Sequence, residues 1–185
     1  MNNKQIVIIS FLFLLLSCSV AKVKHTESAP GFRLSNYKTF DYYKLEATGD
    51  TSANFEKNAA LLRDAITKNL RAKGLRRSET QPELLINIGI VVDEKTQTRE
   101  TTYREAPRYM GQRKYRWKSE EVEVGKYKEG TATVHLVDAR TEDMVWQGVV
   151  QSIIPGNEKK IPATIVEGVN ALFDKMDSGI DEDTK

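Results

Sequence analysis

The sequence predicts an α+β fold in which an antiparallel sheet of about four to five strands carries two amphipathic helices on one face. Two stretches space their apolar residues at a helical period, and several others alternate apolar and polar residues as strands do. Short stretches rich in turn-forming residues separate the strands, which favours antiparallel pairing, and two amphipathic helices can cover one face of such a sheet.

The first strand and the first helix are predicted in the amino-terminal half. Residues 38–43, KTFDYY, form a short aromatic strand. Residues 53–73 follow as a helix, in which Ser52 is placed to cap the start and Gly74 to close the end in a left-handed conformation. The apolar stripe of this helix comprises Phe55, Ala59, Leu62, Ile66 and Leu70.

The middle of the chain predicts strands. Residues 84–92 are apolar on both faces, which favours a central position in the sheet. The polar residues 93–103 can continue this strand as a ribbon. Residues 121–127 alternate again, and residues 131–139 add a further strand after Gly130.

A hairpin and a second helix complete the predicted domain. Residues 138–143, DARTED, form the hairpin connection, since Asp and Thr side chains bond nearby backbone amides, and residues 144–154 return as a strand. Gly148 has no side chain, so a neighbouring backbone or the Trp146 ring can approach closely there. Gly168 lies inside the second helix, where glycine costs about 1 kcal/mol relative to Ala, and close contact with the sheet would explain it. The stripe of this helix comprises Ile165, Val169, Leu172, Phe173 and Met176.

The amino terminus has the pattern of a secretory signal. Lys4 precedes an apolar run from Ile6 to Leu16, which is shorter than the roughly 20 apolar residues that a bilayer-spanning helix needs. The run ends in Leu15-Leu16-Ser17-Cys18, which resembles the lipobox of bacterial lipoproteins. This resemblance implies that the preceding peptide is removed and that Cys18 carries fatty acyl chains such as palmitate, which anchor the protein to a membrane.

Four parts of the chain follow from these patterns. We predict a lipoprotein signal peptide over 1–17, an acylated Cys and flexible tether over 18–36, a single α+β domain over 37–177 and an acidic disordered tail over 178–185. The tether would have a root-mean-square span of roughly 20 to 25 Å. Ser19 is not the aspartate that signals inner-membrane retention in many Gram-negative lipoproteins, so the resemblance implies the outer membrane. Lys22 and Lys24 stand where some surface-exported lipoproteins carry acidic residues, which favours a domain facing the periplasm.

The composition limits the classes of function. A hydrophobic content of 39% and a charged content of 29% are typical of a globular domain. Cys18 is the only cysteine, so no disulfide can form within the chain and packing alone must hold the domain together. The formal net charge of +2 gives no global field that would recruit nucleic acid or a membrane, so any electrostatic attraction must be local.

Several short motifs follow one another in a fixed order: Tyr37-Lys38-Thr39-Phe40, Ala72-Lys73-Gly74, Pro82-Glu83-Leu84-Leu85, Gly130-Thr131, Val137-Asp138-Ala139-Arg140-Thr141 and Val145-Trp146. Together they resemble the bacterial lipoprotein family known as domain of unknown function 4136. The resemblance covers residues 37–176 and implies only fold and location, because the family has no established activity or catalytic residues. Glu142-Asp143 differs from the Gly-Lys that the family often has.

The sequence offers little catalytic chemistry. His25 lies in the predicted tether, which leaves His135 as the one imidazole of the predicted domain. On a regular strand His135 and Asp138 point to opposite faces, so they do not form part of a Ser/His/Asp triad. Neither a zinc site nor a nucleotide-binding loop is indicated, and we expect no cofactor and no metal. Adjacent carboxylates occur at Asp93-Glu94, Glu120-Glu121 and Glu142-Asp143, where solvated strand ends explain them.

The clearest local feature is a basic aromatic segment over residues 95–118. It holds eight basic and two acidic residues, with tyrosines and Trp117 between them. Export of the protein argues against nucleic acid as its ligand, and it leaves anionic lipid, peptidoglycan or an envelope protein as partners. A solvated hairpin whose basic side chains cover sheet edges would also explain the segment. We predict contact through Arg104, Arg108, Arg113, Lys114, Arg116 and Trp117.

Three functions are compatible with the sequence. The first is a non-enzymatic binding or accessory module of the envelope that uses the basic aromatic segment. The second is a hydrolase acting on the cell wall or on a glycan through His135 or the paired carboxylates. The third is a structural spacer without a specific ligand.

Overall fold

A mixed sheet and two helices build the domain. The computed structural model describes residues 21–49, 54–101 and 119–180, and within them the sheet has six strands. The elements are β1 (Ala21–Ser28), β2 (Thr39–Gly49), α1 (Phe55–Ala72), β3 (Arg76–Arg77), β4 (Leu84–Glu100), β5 (Glu121–Asp138), β6 (Met144–Ile154) and α2 (Ile161–Ile180). The predicted α+β class is therefore confirmed, and so are the two helices.

The predicted antiparallel sheet of four to five strands is wrong in its strand number and in part of its pairing. The strand order is β1-β6-β5-β4-β2-β3. The pairs β1–β6, β6–β5 and β5–β4 are antiparallel. The strand β2 instead runs parallel to both β4 and β3. The reason is that α1 returns the chain to the end of the sheet where β2 began, and such a crossover produces parallel neighbours.

Strand β1 lies within the predicted tether. It pairs antiparallel with β6, with Ala21 opposite Ser152 and Ser28 opposite Trp146. The prediction of a flexible tether over 18–36 is thus wrong for these residues. Apolar Ala21 and Val23 alternate with lysines, and this pattern is too short to stand out in the sequence. The backbone ladder with β6 and the burial of Ala21 hold the strand in place.

The core fills the space between one face of the sheet and the two helices. Ile86, Leu136 and Trp146 are neighbours across three strands, and all three are buried. None of the buried residues in the described ranges is polar. From the helices, the core receives Leu62, Ala65, Ile66 and Leu70 of α1 and Val169, Leu172, Phe173 and Met176 of α2.

A tyrosine of β2 holds α1 against the sheet. The Tyr42 hydroxyl lies 2.7 Å from the Arg63 carbonyl oxygen, to which it donates, and 2.9 Å from the Thr67 hydroxyl. Burial of the phenol raises the pKa of Tyr42 to about 12. The tyrosine therefore stays neutral and remains a hydrogen-bond donor at any physiological pH.

Glycines permit the closest contacts of α2 with the sheet, as the sequence predicts. A Cβ at Gly148 would lie 2.7 Å from Leu172 Cδ1 and closer still to the Trp146 ring. That ring stacks on Phe173 of α2 with 6.0 Å between the ring centroids. A Cβ at Gly168 would lie 3.5 Å from both Ala21 Cβ and Val150 Cγ2, so α2 passes directly over β1 and β6.

We expect Gly148→Ala to lower the free energy of unfolding by about 1 to 3 kcal/mol, because the methyl group overpacks the contact of Trp146 with Leu172. Urea denaturation of the variant and the parent protein measures this difference. The matched control is Gly125→Ala, since a Cβ at Gly125 meets nothing within 4 Å. Equal stability of the two variants would contradict the described packing.

Candidate functional site

The predicted contact residues Arg104, Arg108, Arg113, Lys114, Arg116 and Trp117 lie outside the described residues, as does Cys18. The structure does describe both ends of the chain segment that contains the six contact residues. The Thr101 amide donates to the Glu120 carbonyl oxygen at 2.9 Å, and the Ser119 hydroxyl donates to the Thr101 carbonyl oxygen at 3.2 Å. Thr101 and Ser119, which flank residues 102–118 in the sequence, therefore lie together at one point of the fold.

That point is the tip of a two-stranded arm, formed by residues 95–100 and 121–127. Among the described residues, β2 pairs with β4 as far as Val92, and β6 pairs with β5 from Lys128 onwards. Beyond these positions the described strands that pair are β4 and β5 alone, until Glu100 meets Glu121. At about 3.4 Å per residue, the arm extends about 20 Å beyond the rest of the sheet.

The backbone ladder holds the arm, and its side chains are largely exposed. Lys126 donates to the Glu94 carboxylate at 2.8 Å across the two strands, and this hydrogen bond raises the pKa of Lys126. Such an exposed ion pair contributes little to stability. Val124 is 47% exposed. As far as the structure describes the arm, it therefore has no core of its own, and most of its side chains are exposed.

The histidine and the aspartate considered for catalysis lie on opposite faces of β5, as the sequence predicts. His135 pairs with Asn87 and Gln147 on the face away from the helices, whereas its neighbour Leu136 is buried in the core. The Asn87 Oδ1 atom on this face is buried and has no hydrogen-bond partner among the described residues. His25 lies in β1, 3.4 Å from Glu27.

Asp138 is engaged in a turn. Its Oδ1 atom accepts hydrogen bonds from the amides of Arg140 at 2.9 Å and Thr141 at 3.2 Å, and its Oδ2 atom accepts one from the Tyr37 hydroxyl at 3.0 Å. The Arg140 amide is the main cause that holds the pKa of Asp138 below its usual value. This carboxylate is therefore bonded within the turn and does not orient an imidazole.

Metal-ligating side chains do not gather in the described parts of the chain: no three His, Cys, Asp or Glu residues there could hold one ion. In two of the adjacent carboxylate pairs, one residue takes part in an ion pair or in a turn. Glu94 bonds Lys126, and Glu142 adopts a φ of 61° in the turn before β6. Among the described helices, none has the length and apolar character needed to cross a membrane.

An apolar groove of about 190 Å³ lies between the two helices and the sheet. Its walls are Phe55, Ala59 and Leu62 of α1 and Ile161, Ile165 and Val169 of α2. Its floor is formed by Ile90, Ala132 and Val150, and one end is lined by Ile153, Ile154 and Pro155.

Three polar contacts show that the two helices run parallel beside this groove. Asn54 bonds Glu158 at 3.1 Å before the helices begin, Asn69 bonds Asn170 at 2.9 Å further along, and Lys73 pairs with Asp177 near the ends. The groove lies between the first two contacts. The sequence did not predict this groove. The helical period of apolar residues indicates that Phe55 and Ile165 belong to the core, whereas both are only half-buried in the structure.

Comparisons with known proteins identify the family and support the fold. The family model described as "Domain of unknown function (DUF4136)" matches residues 24–176. A PDZ domain protein from Parabacteroides distasonis has a similar structure, with a TM-score of 0.50 and 14% identity. The alignment covers 93% of this chain but only 40% of that protein, so it bears on the fold alone.

Another solved structure, the PelC dodecamer from Paraburkholderia phytofirmans, has a TM-score of 0.43 and 13% identity. That alignment covers 82% of this chain and 96% of the other. No curated protein sequence matches this one.

Proposed function

We propose a function from the premise that this chain belongs to the DUF4136 family: it is a lipid-anchored, non-enzymatic protein of the cell envelope that contacts an anionic membrane surface through its arm. The single observation that supports this proposal best is the position of the arm. It leaves the sheet at the same end at which the described chain begins after Cys18.

The pairing register puts both features at one end. Ala21 lies opposite Ser152, Ser152 lies opposite Gly130, and Gly130 lies opposite Val92. Ala21 is the first residue of β1. Val92 is the last residue of β4 that pairs with β2, and the arm follows it. A single row across the sheet therefore contains the start of β1 and the base of the arm.

Acylation of Cys18 would place this end of the domain close to a bilayer. Cys18 precedes Ala21 by three positions, so at most about 10 Å of extended chain separates their Cα atoms. The arm extends about 20 Å. Because the arm is longer than the link, its tip can reach the plane of the headgroups that surround the acyl chains. Two or three acyl chains give stable anchoring where one would be marginal.

The charge of the basic aromatic segment suits that location. Each Lys or Arg near an anionic membrane surface contributes about 1 kcal/mol to binding, and Trp and Tyr side chains favour the interface between water and lipid. Of the three classes of partner open in the sequence, anionic lipid therefore fits this arrangement best. The outer membrane, with the domain facing the periplasm, is the location that we propose.

The hydrolase alternative receives no support from the described geometry. His135 and Asp138 are separated by the sheet, and Asp138 is bonded within its own turn. A pure spacer would not require the exposed arm.

We predict that Cys18→Ser releases the protein from the membrane fraction of the cells that make it. The serine hydroxyl cannot form the thioether that carries lipid, so the variant loses its anchor. Fractionation and the intact mass of the tagged protein measure the result. The parent protein should carry the mass of acyl chains on a chain that begins at Cys18. Equal membrane retention of the variant and an unacylated parent protein would each contradict the proposed anchor.

We predict that replacing Arg104, Arg108, Arg113 and Arg116 with glutamine, in the Cys18→Ser background, weakens binding to phosphatidylglycerol vesicles by about a hundredfold or more, given roughly 1 kcal/mol per lost charge. Co-sedimentation measures the affinity. The matched control replaces Lys68, Arg71, Arg76 and Arg140, which are exposed and lie away from the arm, and it should retain binding.

Two results of this vesicle experiment would contradict the proposed contact. Equal loss in both quadruple variants would indicate that net charge alone governs binding. Unchanged binding of the arm variant would exclude the basic aromatic segment, and co-purification of one envelope protein through it would replace lipid as its partner.

A further inference from the structure

We infer that the apolar groove between α1 and α2 receives part of an acyl chain carried by Cys18 of the same molecule. This inference rests on the proposed acylation of Cys18. It assigns to the groove an occupant that is covalently attached to the chain, and it makes the domain a shelter for its own anchor.

The chemistry of the groove suits a hydrocarbon. Most of the lining side chains are aliphatic or aromatic, including Phe55, Ala59, Ile165 and Val150. The polar side chains of the lining are Asn58, Lys128, Thr131, Gln151, Ser152 and Thr164. A cavity of about 150 Å³ lined by apolar residues holds a benzene molecule in another protein. By that comparison, a groove of about 190 Å³ has room for roughly eight carbon atoms, which is part of one fatty acyl chain.

The sheet register places the start of β1 beside this groove. Strand β1 is antiparallel to β6, and its first residue, Ala21, lies opposite Ser152. Ser152 lines the groove together with Ile153 and Ile154, the residues that follow it in β6. The first described residue after Cys18 therefore lies at the lined end.

The start of β1 also contacts the groove wall. A Cβ at Gly168 would lie 3.5 Å from Ala21 Cβ and 3.5 Å from Val150 Cγ2, and both Gly168 and Val150 line the groove. Since Cys18 precedes Ala21 by three positions, its sulfur is within about 10 Å of extended chain from that wall. An acyl chain attached there spans the remaining distance.

Covalent attachment favours this occupant over a free lipid. A tether of a few residues gives a ligand an effective concentration in the millimolar range, whereas free fatty acid must bind from solution. The groove and a bilayer are both apolar. The acyl chain should therefore occupy the groove chiefly when the protein is away from the membrane, where exposure of the chain to water is most unfavourable.

A photoreactive fatty acid tests the inference on the acylated protein made by cells. Cells are fed a fatty acid with a diazirine in its chain, and the protein is immobilised through a carboxy-terminal tag, freed of detergent and irradiated. We expect the acylated Cys18 peptide to be crosslinked, within one molecule, to peptides that contain Ala59 or Ile165. Mass spectrometry identifies these adducts.

Matched variants keep the experiment specific. Ala59→Phe and Ile165→Trp fill the groove from opposite walls, and most of the intramolecular adduct should be lost in each. Their controls are Ala60→Phe and Val166→Trp, whose positions are exposed and do not line the groove, and these should keep the adduct. Thermal unfolding of all four proteins identifies a variant that has lost its fold. If one groove variant is unfolded, the result is taken from the groove variant on the opposite wall.

The possible failures are distinguishable. Acylated Cys18 without any adduct in the groove overturns this inference and leaves the proposed anchor intact. Absence of acyl mass on Cys18 overturns the proposed anchor and this inference together. Adducts whose mass is that of a free phospholipid or fatty acid, and which persist in Cys18→Ser, replace the attached chain with a free lipid and overturn the inference. Equal adduct in Ala59→Phe and Ala60→Phe overturns it as well.

Discussion

The packing of the Trp146 ring over Gly148 is the contact on which the rest of the domain depends. The ring occupies the space that a side chain at Gly148 would need, and it stacks on Phe173 while Leu172 covers the same glycine. This contact fixes the distance of α2 from β6. Gly168, one helical turn before Leu172, then meets Ala21 and Val150, so the position of α2 also fixes β1. Without disulfides, such close apolar contacts have to supply the stability of the domain.

The topology brings three features to one end of the molecule. Strands β2 and β6 both end there, and both helices start there and run back in parallel. The helices leave the apolar groove open between their first turns. Strand β1 starts at this end because it is antiparallel to β6, and the arm leaves it because β4 and β5 continue after their neighbours have ended. Anchor, groove and arm therefore share one side in the account that we propose.

Local pattern was sufficient for part of the fold and insufficient for the rest. The stripes of both helices and the Asp138 turn were predictable, because each depends on residues near in sequence. The close approaches at Gly148 and Gly168 were predictable because a glycine inside a strand or a helix is unfavourable unless something packs closely against it. The parallel pairing of β2 with β4 was not, since turn signals do not reveal that α1 forms a crossover. Strand β1 was missed because Ala21 and Val23 give only two apolar positions, and its pairing depends on β6, more than a hundred residues away. The groove was missed because periodicity shows which helical residues face inwards but not whether a neighbour covers them. The contact residues of the basic aromatic segment remain a prediction.

Amide hydrogen exchange in residues 21–28 of the acylated protein tests most directly whether the anchor lies beside the groove and the base of the arm. Both proposals require this segment to be a strand that starts beside the groove and leaves only a short link to Cys18. We expect the β1 amides bonded to β6 to exchange slowly, close to the amides in the middle of β6, because both open only with the sheet. Exchange at the rate of an unstructured chain would show that the segment is a free tether, and it would separate the anchor from both the groove and the base of the arm.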